Sequence, residues 1–170
     1  CVLNIDDFAV LGPTYDNEKI YKNYEIWDKK KLNMNLNGRI FEKYKIKEVD
    51  FIDNDFIINK KHFKNLDFFD ENIFIYFDTM DFCKRVRSVN KKIYVCDKIK
   101  FTHFGGKSHD PKFSFQASLS RNWHYNWSKF YYFKKHFGYF FALKKTFGKL
   151  IKSFFKRKYS PNRMLYFYFI

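Results

Sequence analysis

Hydrophobic and polar positions follow two different rhythms along this chain. Residues 1–110 carry short apolar runs of strand length, separated by polar turns. The run at residues 8–11 (FAVL), after a short helix end, is followed by Gly12-Pro13, which predicts a strand ending in a turn. Residues 16–47 are polar, rich in Asn and Lys and poorly periodic, with a short strand pair expected around Gly38. Residues 48–59 (EVDFIDNDFIIN) read as another strand, and residues 60–66 as a short helix turning Phe63 and Leu66 inward. The run at residues 73–77 (IFIYF) has no alternation, which predicts a strand covered on both faces. A short helix, a second strand after Lys91-Lys92 and a His-Gly-Gly turn complete this part. From Phe113 the rhythm becomes helical. Phe133, Phe137, Phe140, Leu143, Phe147, Leu150, Ile151 and Phe154 recur at steps of three and four, with lysines mainly between them. Gly138 and Gly148 are expected to kink or divide this helix, and Ser160-Pro161 to end it.

The candidate chemistry gathers after the run at residues 73–77. Asp78, Asp81 and Arg85 fall within an arc of roughly 60° on a helix. A strand that brings carboxylates to the mouth of a sheet is a frequent way to build an α/β active site. The plainer reading is structural: Asp78 as helix N-cap, Asp81 near the helix start in the favourable dipole position, and Arg85 pairing with Asp81 one turn on. His103 precedes two glycines, whose lack of a side chain lets backbone approach a ligand, and an imidazole is a natural ligand for a divalent metal. Lys107 and Ser108 offer a charge and a hydroxyl to phosphates, or serve as a solvated loop. Asp6-Asp7 has the look of a metal-binding acidic pair but precedes its strand, so a solvated helix terminus is the simpler reading.

Bulk properties narrow the classes. With 170 residues, 46% apolar and 24% aromatic, the chain can bury a core, and its composition argues against disorder. The net charge of +15 is uneven: residues 111–170 hold 13 Lys/Arg and no Asp or Glu. Any anionic partner therefore belongs to the tail. Cys1, Cys83 and Cys96 form neither a paired framework nor a zinc spacing, which suits a reducing compartment, with Cys83 as core packing. No signal peptide and no uncharged run of membrane-spanning length is visible. Because the chain starts with Cys1, it reads as a fragment of a longer protein.

Order and spacing across most of the chain also carry a resemblance. Phe68-Phe69-Asp70-Glu71 is followed by Tyr76-Phe77-Asp78-Thr79-Met80-Asp81-Phe82-Cys83-Lys84-Arg85. Then come Lys91-Lys92-Ile93-Tyr94-Val95 and His103-Phe104-Gly105-Gly106-Lys107-Ser108. This resembles the C-terminal half of family 2 (GT-A type) glycosyltransferases of the rhamnosyltransferase-like bacterial kind. The resemblance implies an α/β fold: the C-terminal portion of a GT-A, Rossmann-like domain over residues 1–110. A basic amphipathic helical tail follows over residues 111–170. It implies inverting transfer of a sugar from a nucleotide-diphosphate donor to a polysaccharide or lipid-linked glycan acceptor. The implied base is Asp78, with Asp81 next, because Thr79 stands where the family carries its second acid. His103 would contribute to a divalent metal (Mg or Mn) site in the complete enzyme, and Lys107 and Ser108 would face the diphosphate. The family places a small-residue pair near Asp53-Asn54, so larger polar groups here alter the acceptor pocket. The donor half, with its Asp-x-Asp motif, lies outside this sequence, so the chain alone is not expected to catalyse. Localisation would be peripheral, on the cytoplasmic face of the bacterial inner membrane.

For the tail three readings stand: an interfacial helix on anionic lipid through residues 129–158, a helix packed on its own domain, or a nucleic-acid surface. Helical placement of the aromatics argues against the last. The alternative for the whole chain is a non-enzymatic basic module that binds membranes.

Overall fold

The structure, a computed structural model, describes residues 8–16, 22–28, 39–64, 66–103 and 110–155, with backbone alone at 39–41 and 148–155. Its chain forms two compact units: Cys1–Asp70 with Thr79–Phe104, and Glu71–Asp78 with Gly105–Ile170.

In the first unit the central pair is parallel, β1 (Phe8–Tyr15) beside β6 (Lys92–Phe101), in register Val10↔Ile93 to Pro13↔Cys96. Antiparallel β3 (Ile46–Val49) flanks β6, and antiparallel β5 (Ile57–Ile58) flanks β1, giving the order β3-β6-β1-β5. A separate antiparallel pair joins β2 (Tyr24–Glu25) to β4 (Phe51–Ile52). Helix α1 (Arg39–Tyr44) precedes β3, and α2 (Asp78–Ser88) precedes β6. The architecture is α/β with a mixed sheet, the coarse class that the apolar runs predict.

Every residue of β1 is buried, as a central strand requires. Thr79, Phe82, Cys83 and Val86 form the buried stripe of α2, at the spacing of one helix face. Their core partners include Val10, Val49, Ile52, Ile93 and Val95. Phe82 stacks on Phe56 and Phe63 with centroids 5.6 and 5.5 Å apart. Each such side chain contributes about 1.5–3 kcal/mol by leaving water. Phe63 turns inward as expected, although its segment is only a 3-10 turn at Lys60–His62. Cys83 and Cys96 are buried free thiols; burial pushes the Cys83 thiol up to about 12, consistent with packing rather than reactivity.

The two fully buried carboxylates of this unit, Asp50 and Asp81, have partners. Asp50 accepts from Trp27 N at 2.7 Å and Asp28 N at 3.0 Å, and Arg87 Nε lies 3.3 Å from its other oxygen. Asp81 is fully buried and pairs with Arg85 Nε at 2.8 Å, the one-turn pairing that the spacing predicts. Arg85 also donates to the carbonyls of Asp67 and Phe68, tying the chain before the helix to the helix itself.

Four expectations are corrected. Gly12-Pro13 is not a turn: β1 runs through it to Tyr15, and the register shifts between Pro13 and Thr14. A proline lacks a ladder N–H, and a bulge is where a sheet tolerates that lack. Residues 48–59 are not one strand, because Asp50 and the loop after Ile52, with Asn54 at φ 62°, interrupt it. Residues 73–77 are not a covered strand. Tyr76 and Phe77 take consecutive left-handed conformations (φ 62° and 60°), which no extended ladder accommodates, and Phe74 is 77% exposed. The strand pair expected around Gly38 is also not formed, since α1 (Arg39–Tyr44) follows that glycine; residues 29–38, the Asp6-Asp7 pair and the Ser160-Pro161 stop lie outside the described residues.

The second unit is helical. A 3-10 turn at Pro111–Phe113, capped by the Asp110 side chain on Lys112 N at 3.0 Å, leads into α3 (Ser114–Phe137). Gly138, at φ 89°, divides α3 from α4 (Tyr139–Phe155), whereas Gly148 lies within continuous helix. The apolar run before Asp78 finds its partners here. Phe77 meets Tyr125, Tyr132 and Phe133, Tyr76 meets Tyr125, and the Ser128 hydroxyl donates to Ile75 O at 2.7 Å. At the elbow Phe137 stacks on Phe141, with centroids 5.0 Å apart, and Ala142 is buried.

Candidate functional site

Strands β1 and β6 run parallel and their carboxyl ends finish side by side, Tyr15 opposite Phe101. In α/β sheets that edge is where ligands bind, because the connecting loops diverge from it. The first unit gathers a polar cluster there. The Tyr15 hydroxyl donates to Asp55 Oδ2 at 2.9 Å and receives Asn54 Nδ2 at 3.4 Å. Its ring stacks on the His103 imidazole, 5.3 Å between centroids and 2° between planes. Burial pushes the Tyr15 phenol up to about 12, with the Asp55 carboxylate adding to the rise, so it stays a neutral donor at ordinary pH.

The loop carrying Asp53, Asn54 and Asp55 is fixed on three sides. Asp53 N donates to Asn23 O at 2.7 Å. Asp53 Oδ1 accepts from the Thr79 hydroxyl at 3.0 Å. Against Gly12 the fit is so close that an added Cβ would meet the Ile52 side chain and lie 2.8 Å from Asp55 O. The glycine therefore serves a close approach of two backbones rather than the turn expected of it. Asp53 is half-buried, while Asn54, Asp55 and His103 are exposed. Two carboxylates, a phenol, a hydroxyl and an imidazole thus line one sheet edge, a set able to accept and relay a proton from a bound hydroxyl.

The predicted residues separate. His103 joins the cluster. Asp81 is sealed in its ion pair with Arg85, which makes it a structural fixture of α2. Asp78 is the first residue of α2, half-buried, and belongs by its contacts to the second unit, whereas Asp81 and His103 belong to the first. Lys107 and Ser108, with Gly105-Gly106, lie outside the described residues. Tyr15 and Asp55 were not singled out from the sequence. The signal that could have found them is the acidic triplet Asp53-Asn54-Asp55 inside an otherwise apolar stretch, a polar interruption a strand would not keep without use.

No group of three His, Cys, Asp or Glu among the described residues is close enough to hold an ion, and His103 offers a single ligand beside a stacked tyrosine. No helix among the described residues is long and apolar enough to cross a membrane. Comparison with models of known families, with curated proteins and with solved structures returns no match to this chain.

Proposed function

We propose that this chain is the C-terminal, acceptor-side half of a family 2, GT-A type glycosyltransferase. The complete protein would move a sugar from a nucleotide-diphosphate donor to a polysaccharide or lipid-linked glycan. The observation that carries the reading is the hydrogen bond between Thr79 and Asp53 at the carboxyl end of the parallel strands. The resemblance calls for an acid where Thr79 stands, and a threonine hydroxyl is no base at neutral pH. A carboxylate from another loop lies one hydrogen bond from that position. Asp53 is then the group to take the proton of the acceptor hydroxyl, with Asp55 held in place by Tyr15 and His103 covering the tyrosine ring. Asp78 remains a second candidate base at the start of α2. Leaving-group charge would be met by a divalent metal and donor-binding residues upstream, with Lys107 and Ser108 beside the diphosphate.

The test uses the protein extended upstream in its reading frame, assayed for transfer from nucleotide-diphosphate sugars to lipid-linked acceptors. Asp53→Asn should lower kcat by about 100-fold or more, with Asp53→Asn/Thr79→Asp recovering part of it. An Asp53→Asn enzyme of undiminished kcat would remove Asp53 from the role. The absence of transfer from every donor, with the upstream half present, would remove the reading.

A second reading has its own support: Thr79 replaces an acid and Asp81 is buried in an ion pair, the marks of a chain that has lost its chemistry. It predicts a non-enzymatic membrane-binding module, and the same transfer assay decides between the two.

A further inference from the structure

The second unit leaves a patch of apolar surface uncovered at the break between α3 and α4. Around Gly138, Phe137 is 47% exposed, Tyr139 52% and Phe140 85%, and Phe147 is also exposed one step along α4. Phe140 and Phe147 are seven residues apart on α4, about 20° from one another around its axis, with Lys144 on the same side. Lys134, Lys135, Lys144 and Lys145 are all exposed around these rings. Residues 111–155 themselves contain no Asp or Glu. The packing of α3 on α4 runs through Phe130, Phe133, Phe137, Tyr139, Phe141 and the buried Ala142, while Phe140, 85% exposed, faces away from it.

From this we infer that the Gly138 elbow is a docking element for the surface of an anionic lipid bilayer. The exposed phenylalanines enter the headgroup boundary while the lysines, on their long stems, reach the phosphates. Charge selects the occupant. The lysines around the elbow are complementary to an anionic surface, and they would repel the same patch on a second copy. The rings select between anionic surfaces. Phenylalanine has no polar tip to satisfy in water, and a side chain 85% exposed at a helix break gains most from a solvent without water. Nucleic acid instead needs rings free to stack on bases along a groove that tracks phosphates, whereas Trp123, Trp127 and Tyr131 on α3 already stack on one another. Because no described helix is apolar enough to span, the mode is interfacial. This inference is independent of any sugar transfer.

The experiment is co-sedimentation of the full 170-residue chain with vesicles of phosphatidylcholine alone and with about one part phosphatidylglycerol in three. Binding is expected only to the anionic vesicles, and it should weaken as salt is raised. Phe140→Ser/Phe147→Ser should reduce the partition constant by about tenfold or more at every salt concentration. Lys144→Gln/Lys145→Gln should reduce it by about tenfold or more at low salt and flatten the salt dependence. All four positions are exposed, so circular dichroism of each variant should match the parent. Equal binding to neutral vesicles, no binding to either, or unchanged partition in the double Phe variant would each overturn the inference. So would a single-stranded oligonucleotide that displaces the chain from vesicles and is bound equally by the double Phe variant.

Discussion

The two units solve the burial problem in opposite ways. The first keeps its acids and buries some of them, each with a partner: Asp50 under Trp27, Asp28 and Arg87, and Asp81 under Arg85. The second has no acid in its helices, and it holds together by ring contacts along α3 and across the Gly138 elbow. A buried charge is costly when its partner is removed, because the remaining ion has no water to turn to. An exposed ring costs nothing to remove. The first unit should therefore be brittle at its buried polar positions, and the second tolerant at its exposed rings.

The sharpest way to break this contrast is Arg85→Ala, which takes the guanidinium from the buried Asp81. A loss of about 3–5 kcal/mol is expected in urea unfolding, and an unchanged midpoint would show that Asp81 finds water after all. Next comes Gly12→Ala. Its new methyl meets the Ile52 side chain and Asp55 O, so the β4–β5 loop must shift, at a cost of about 1–3 kcal/mol. Any activity of the cluster should fall with it.

Tyr15→Phe is smaller. It removes the hydroxyl from Asp55, which is solvated, for about 1 kcal/mol. It also changes the alkaline limb. The Tyr15 phenol is raised to about 12 in the folded chain from its ordinary 10, so the folded state holds a proton that the unfolded state has released. The Tyr15 contribution is intact below pH 10 and declines as pH climbs from 10 to 12. Cys83, raised to about 12 from 9, adds the same sign from pH 9 upward. In Tyr15→Phe only the Cys83 part should remain, as a pH series of thermal midpoints would reveal. The smallest effect belongs to the second unit: Phe140→Ser should alter unfolding free energy by less than about 0.5 kcal/mol. A larger loss would mean that the ring is covered.

The limits of sequence reading can be traced residue by residue. The apolar run at 73–77 was visible as buried-type sequence, yet composition does not say whether rings pair with a sheet or with a helix. The answer came from Ser128 and the α3 aromatics, some fifty residues away. Gly12-Pro13 carried a local turn signal, and the strand overrode it because a bulge absorbs the proline and the Asp53–Asp55 loop needs the room beside the glycine. His103 was found from its glycine-flanked position, but Tyr15 was not, since a tyrosine at a strand end means little until the loop opposite is known.

What the sequence determined by itself is whatever depends on neighbours within a few turns. That covers the α2 stripe with its Asp81–Arg85 pair, the long basic helices and their division at Gly138, and the acid-free charge of the tail. Tertiary structure alone decided which carboxylates are buried and which face solvent. It also decided which strand ends meet, and which aromatic rings are left uncovered. Those outcomes turn on contacts between distant segments, whose energies depend on the geometry of approach and on the exclusion of water, and neither is written in local spacing.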